Sequence, residues 1–203
     1  MSYQITRVRF LVRETAPARL PSALGRKALE GNAREYVRSP LCHVHLVLQD
    51  SDGNETFGCS ADRLSVRWLD KRPGRDKSQK LNELVALIEH GGDLYRGPDR
   101  FGTPFDKWRE THEQIMRAGD SANQERLTST FVSSLLERAL SDAACRLQGI
   151  GIHQALQRNL LGIDLERIDG GLRGADVRSL FRGDPRTRIE IRHTVGSFDP
   201  LTR

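Results

Sequence analysis

Ser134–Gly162, SLLERALSDAACRLQGIGIHQALQRNLLG, is the stretch on which the fold turns. Phe131, Leu135, Leu136, Ala139, Leu140, Ala143 and Leu147 recur at helical spacing and give a helix over Leu127–Leu147 one apolar face. Gly149 and Gly151 punctuate its end, and a second short helix runs into Leu160-Leu161-Gly162. Upstream the same period continues. Leu81, Leu84, Val85 and Ile88 sit at i, i+3, i+4 and i+7, with Gly91-Gly92 expected to stop that helix. Pro104 suits the first turn of a further helix through about Ala118, and Asp120–Arg126 is a polar break.

Before these helices the period changes to two. In Ile5–Arg13, Val8, Phe10 and Val12 alternate with Arg7, Arg9 and Arg13; in Leu41–Gln49, Cys42, Val44, Leu46 and Leu48 alternate with His43, His45 and Gln49. Such alternation predicts half-buried strands. Asp50-Ser51-Asp52-Gly53-Asn54 is turn chemistry, so Glu55–Ser60 is expected to pair back as a third strand. Strands first and helices afterwards make an α+β domain: a three-stranded antiparallel meander followed by a small helical bundle. Two connections stand out. One is Thr15–Pro40, unusually long for a compact domain; the other is the segment after the third strand, Cys59–Arg75. Beyond Leu161 the chain turns glycine-rich, and Arg188–Val195 reads as a last strand.

At 203 residues the chain is long enough to bury a sizeable core. Its 37% hydrophobic and 29% charged residues fit a wet-surfaced globular protein, and no apolar run approaches the ~20 residues of a membrane span. The amino terminus lacks the pattern of a secretion signal, and Cys42, Cys59 and Cys145 are odd in number without metal-ligand spacing. Reduced thiols in a cytoplasmic protein are the expectation. The net charge of +5 comes mainly from arginines scattered among acids from end to end, which describes a solvated mixed-charge surface rather than a basic block.

Glu137, Ala139, Leu140 and Asp142, then Gly149, Gly151, Leu156 and Leu160-Leu161-Gly162, resemble the last helices of the amino-terminal capping domain in the enolase superfamily, of the mandelate racemase and muconate lactonizing enzyme type. The strand ITRVRFLV and the hairpin HVHLVLQDSDGNETFG are similar to that domain's meander, in the same order. The resemblance covers roughly residues 3–162. It implies an enolase-type cap over 1–162, with residues 163–203 as the connection into, and first strand of, a barrel the chain does not carry.

In that family two mobile cap loops close over the barrel's mouth and set substrate preference. By position they are residues 15–40 and 59–69, which makes Arg19, Arg26, Arg34, Tyr36, Arg38, Arg63 and Trp68 the candidate substrate contacts. Arginine forks suit a small carboxylate, and closure excludes water from the reacting centre. Family chemistry abstracts a proton beside a carboxylate and holds the enediolate on Mg2+, with ligands and lysine or histidine bases on barrel strands. This chain has no Lys-x-Lys and ends at Arg203 before the matching strand. No catalytic residue, metal ligand or cofactor is therefore assigned here; Mg2+ is expected only in a longer parent of the isomerase or lyase kind. The chain is read as a fragment of such a protein, or as a remnant without activity.

His43-x-His45 places two imidazoles on one strand face, a metal-ligand spacing for which His112 or Glu137 would have to supply a third group. The bland alternative is a solvated pair of histidines. Trp68, Trp108 and Tyr95 among arginines suggest base stacking, but 6% aromatic content argues against a nucleic-acid partner. Asp164, Glu166 and Asp169 lack the ladder of a calcium loop, and Gly170-Gly171-x-x-Gly174 lacks dinucleotide-loop spacing. Two readings from other classes stay open: a stand-alone α+β interaction module, with homo-oligomerisation through its apolar docking face as one form of it, and an arginine-rich nucleic-acid binder.

Overall fold

The computed structural model describes residues 2–14, 39–181, 183–184 and 186–191. Strands β1 (Gln4–Arg13), β2 (Leu41–Gln49) and β3 (Glu55–Arg63) form an antiparallel sheet in that order. Helices α1 (Val66–Leu69), α2 (Lys77–Tyr95), α3 (Pro104–Ser121), α4 (Arg126–Leu147) and α5 (Ile152–Gln157) follow, with 3-10 turns at Gly170–Leu172 and Val177–Leu180. The expected α+β architecture is the one observed.

The alternation in β2 has a plain cause. Cys42, Val44, Leu46 and Leu48 are all fully buried against the helices, while His43, His45 and Val47 share the opposite, open face. In β1 a bulge between Ile5 and Arg7 shifts the register, which brings buried Ile5 onto the same face as Val8 and Phe10. Val12, expected in that inner row, remains 42% exposed because it lies at the far end of the strand. The β2–β3 turn is held by Asp50, whose Oδ1 accepts from the backbone of Asp52 and Asn54, and Gly53 takes the left-handed φ of +88° that the turn needs.

Two expectations are corrected. The third strand runs to Arg63 rather than Ser60, since each residue from Leu41 to Gln49 finds a partner across it. Of the segment 59–69, therefore, Cys59–Arg63 is strand and Val66–Leu69 is a helical turn. Helix α2 also does not stop at Gly91-Gly92 but continues to Tyr95. Those glycines serve close approach: a Cβ on Gly91 would press on Leu136 Cδ1, and one on Gly92 on the Phe10 ring. A capping box of Asp76 and Gln79 starts α2, and Thr103 with Pro104 starts α3.

Helix α4 lies directly on β3 and β2. Val132, Leu135, Leu136, Ala139, Leu140 and Ala143 are buried there with Leu84, Ile88 and Ile115 from α2 and α3. The contact with β3 is backbone to backbone at Gly58, where any Cβ would overlap Ala139 and Ala143. Ser60 Oγ donates to the Leu135 carbonyl, and the Cys59 amide donates to Asp142 Oδ2 at 2.9 Å. Asp142, singled out by its place in the sequence, thus satisfies an edge-strand N–H.

Residues after Leu161 fold back on the helices. Arg167 pairs with Asp106 at 2.6 Å and lies over Phe105; Val177 is buried; Gln157 donates to the Gly183 carbonyl. Arg188–Ile191, the described part of the expected last strand, carry no strand pairing, and Ile189 and Ile191 are exposed. The remainder of that segment lies outside the described residues.

Candidate functional site

At the end of the sheet where β3 finishes, the chain opens a groove of about 450 Å³ between β3, α1 and α4. Asp62, Arg63, Trp68, Phe131, Thr130 and Arg138 are among its walls. Its position follows from local structure. Thr128 Oγ1 donates to the Leu69 carbonyl and ties α1 to the start of α4. Just past α1, the 4%-exposed Asp70 is gripped by Arg72, which also contacts Glu83. The Arg72 hydrogen bonds hold the Asp70 carboxyl below the usual carboxylate range, and the Asp70 bonds raise the guanidinium in turn.

The groove's polar groups are partly engaged. The Arg63 guanidinium donates to the Ser39 carbonyl at 3.1 Å, and Arg138 pairs with Asp62 at 3.1 Å. Trp68 is 69% exposed, with Lys71 Nζ 5.2 Å from its ring centroid. The surface sets an exposed indole beside two guanidinium groups that are each already engaged within the chain. Among the described residues the one carboxylate lining the groove, Asp62, is paired with Arg138.

No family model matches this chain, and no curated protein matches it. Among solved structures, one from Sinorhizobium meliloti described as a "putative isomerase" aligns with 76% of this chain at 14% identity and a TM-score of 0.38. The aligned part is 36% of that protein, so the chain spans about a third of its length. A likeness this distant carries no argument about chemistry, which rests on the side chains themselves.

Of the seven substrate contacts expected from the sequence, the structure brings Arg63 and Trp68 to one groove. Arg19, Arg26, Arg34, Tyr36 and Arg38 lie outside the described residues. Asp62, Phe131, Thr130 and Arg138 were not anticipated. A signal for three of them exists: Leu127, Thr130, Phe131, Ser134 and Arg138 fall three or four residues apart on α4, beside the stripe that enters the core.

Other constellations disperse. His43 and His45 do share the open sheet face, where His45 Nδ1 lies 3.7 Å from Cys59 Sγ. The suggested third ligands belong to the helices packed on the other face. His112 Nδ1 instead meets Ser133 Oγ at 2.9 Å and its ring stacks on Trp108, while Glu137 lines a small cavity with Phe105 and Trp108. Among the described residues no three His, Cys, Asp or Glu side chains converge as a metal site. Tyr95 is buried and Trp108 is packed between Phe105 and His112, which leaves Trp68 the exposed member of that aromatic trio. No helix among the described residues is long and apolar enough to cross a membrane.

Proposed function

We propose that this chain is a capping domain of the enolase-superfamily kind, which completes and gates a barrel-borne site for small carboxylates and is inactive by itself. The observation that supports this reading is the junction at the end of the sheet. The Leu64 amide donates to the Pro40 carbonyl, Arg63 donates to Ser39, and Ser65 Oγ meets Ser39 Oγ. The end of the long connection and the segment after β3 therefore meet beside one groove that carries Arg63, Arg138 and Trp68. Two segments distant in sequence are built into one rim, as a cap that shapes a substrate mouth requires.

In this reading Mg2+ and the reaction steps belong to the barrel. The chain's contribution is orientation and exclusion of water, with the arginines holding a carboxylate.

The test is deuterium exchange next to the carboxylate of small hydroxy acids in D2O with Mg2+. The isolated chain is expected to catalyse none. Endogenous protein, captured from its own cells by an antibody to residues 104–162, is expected to exceed the 22.9 kDa of this chain and to catalyse exchange. A 22.9 kDa endogenous species without exchange would overturn the proposal in favour of a free-standing interaction module.

A further inference from the structure

β1 is an edge strand. It pairs with β2 on one side, and among the described residues no backbone group of residues 7–13 bonds to anything on the other. A row of unpaired N–H and C=O groups is a template for another strand. Two further features say what kind of strand would fit.

The first is charge. Arg7, Arg9 and Arg13 are exposed on the outer face, and none has an ion-pair partner among the described residues. Their partners across β2 are Val47, His45 and Leu41, none of them a carboxylate. The second is a groove of about 290 Å³ on the inner side, between β1 and α2, lined by Val8, Phe10, Glu89, Gly92, Asp93 and Arg96. Gly92 keeps its floor low. Asp93 pairs with Arg96 at 2.8 Å, Glu89 stands exposed at the α2 side, and half-buried Val8 and Phe10 supply the apolar contact on the strand side.

We propose that the free edge of β1 docks an extended segment of another protein in which Asp or Glu alternates with small apolar residues. Main-chain hydrogen bonds to β1 provide the pairing; the carboxylates stand opposite Arg7, Arg9 and Arg13, and the apolar residues enter the α2 groove. A second copy of this chain is the poorer occupant. Antiparallel pairing of two β1 strands about Phe10 would set Arg7 of each beside Arg13 of the other, and like charges directly opposite are destabilising. Nucleic acid would answer the arginines but leave the strand's backbone groups and the apolar groove unused. This inference is independent of whether the chain caps a barrel.

The experiment is fluorescence anisotropy with the intact chain and a labelled, alternating Val-Glu heptapeptide. Saturable binding is expected, with none for the Val-Lys counterpart. Methylating the amides that face β1 is expected to weaken binding at least about tenfold, because it removes strand pairing and leaves charge untouched. The R7E/R9E double variant is expected to lose about a hundredfold for Val-Glu and to gain Val-Lys, at roughly tenfold per ion pair. Circular dichroism establishes that the variant is folded; the methylated peptide needs no variant at all. Equal binding of methylated and parent peptides would reduce the site to ion exchange and overturn the proposal. Binding of an oligothymidylate with the same arginine dependence, and no binding of Val-Glu, would overturn it too. So would self-association of the chain that blocks the peptide.

Discussion

The two edges of this sheet are treated in opposite ways. At β3, glycine lets α4 settle onto the strand, and Ser60 and Asp142 bridge strand to helix. At β1, helix α2 approaches the Phe10 ring at Gly92 and leaves a groove beside it, Val8 and Phe10 are only half buried, and arginines line the outside. Each edge strand buries a single residue, Gly58 in β3 and Ile5 in β1, so the two differ in how closely a helix backbone seats on the strand. The difference teaches that the seating of a helix on a strand depends on single small residues and on whether they face backbone or a side chain.

The sharpest way to break the contrast is Gly58→Ala. A Cβ there meets helix backbone that cannot step aside, so at least about 3 kcal/mol of stability should be lost in urea unfolding. A loss under 1 kcal/mol would mean the β3 edge is looser than described. Next is Asp142→Ala, which removes the acceptor of the Cys59 amide and should cost about 2 kcal/mol by the same measurement. An unchanged midpoint would show that water replaces the carboxylate.

A smaller effect concerns pH. Burial, reinforced by Arg109, lowers the His112 imidazole from its ordinary 6.5. The unfolded chain then binds the proton more readily. This contribution to stability is complete above about pH 6.5 and falls away as pH drops through the lower, folded value. His112→Gln should flatten melting temperature against pH between 6.5 and 5, and an unaltered slope would place the dependence elsewhere. The smallest effect is expected at the open edge. Gly92→Ala presses on the Phe10 ring at 2.5 Å, but that ring is half exposed and can swing, and alanine favours the helix by about 1 kcal/mol. Net change should stay within about 0.5 kcal/mol, and a loss as large as that at Gly58 would erase the distinction between the edges.

The same distinction marks what was legible. Alternation in β2 and the helical stripe of α4 were readable because each is buried along one continuous face, where period alone selects the residues. The glycine pair in α2 was misread as a stop, since glycine's two uses, ending a helix and admitting a neighbour, look identical along a chain. Of the candidate site, Arg63 and Trp68 were named only through the resemblance, by their place in the segment 59–69, and Arg63 proves to be the last residue of β3. Asp62 and Arg138 were not named, because 76 residues separate two side chains that touch.

By itself the sequence determined the α+β order of elements, the inner row of β2, the Asp50–Asn54 turn and the apolar face of α4, all consequences of local period and turn chemistry. Only the tertiary structure decided that β3 extends to Arg63, that Gly58 and Gly92 are contact points, that His112 meets Ser133 and Trp108, and that among the described residues the outer edge of β1 is unpaired and lined by arginines. Those are facts about which surfaces come within reach of one another, and reach is a property of the packed chain that no periodicity encodes.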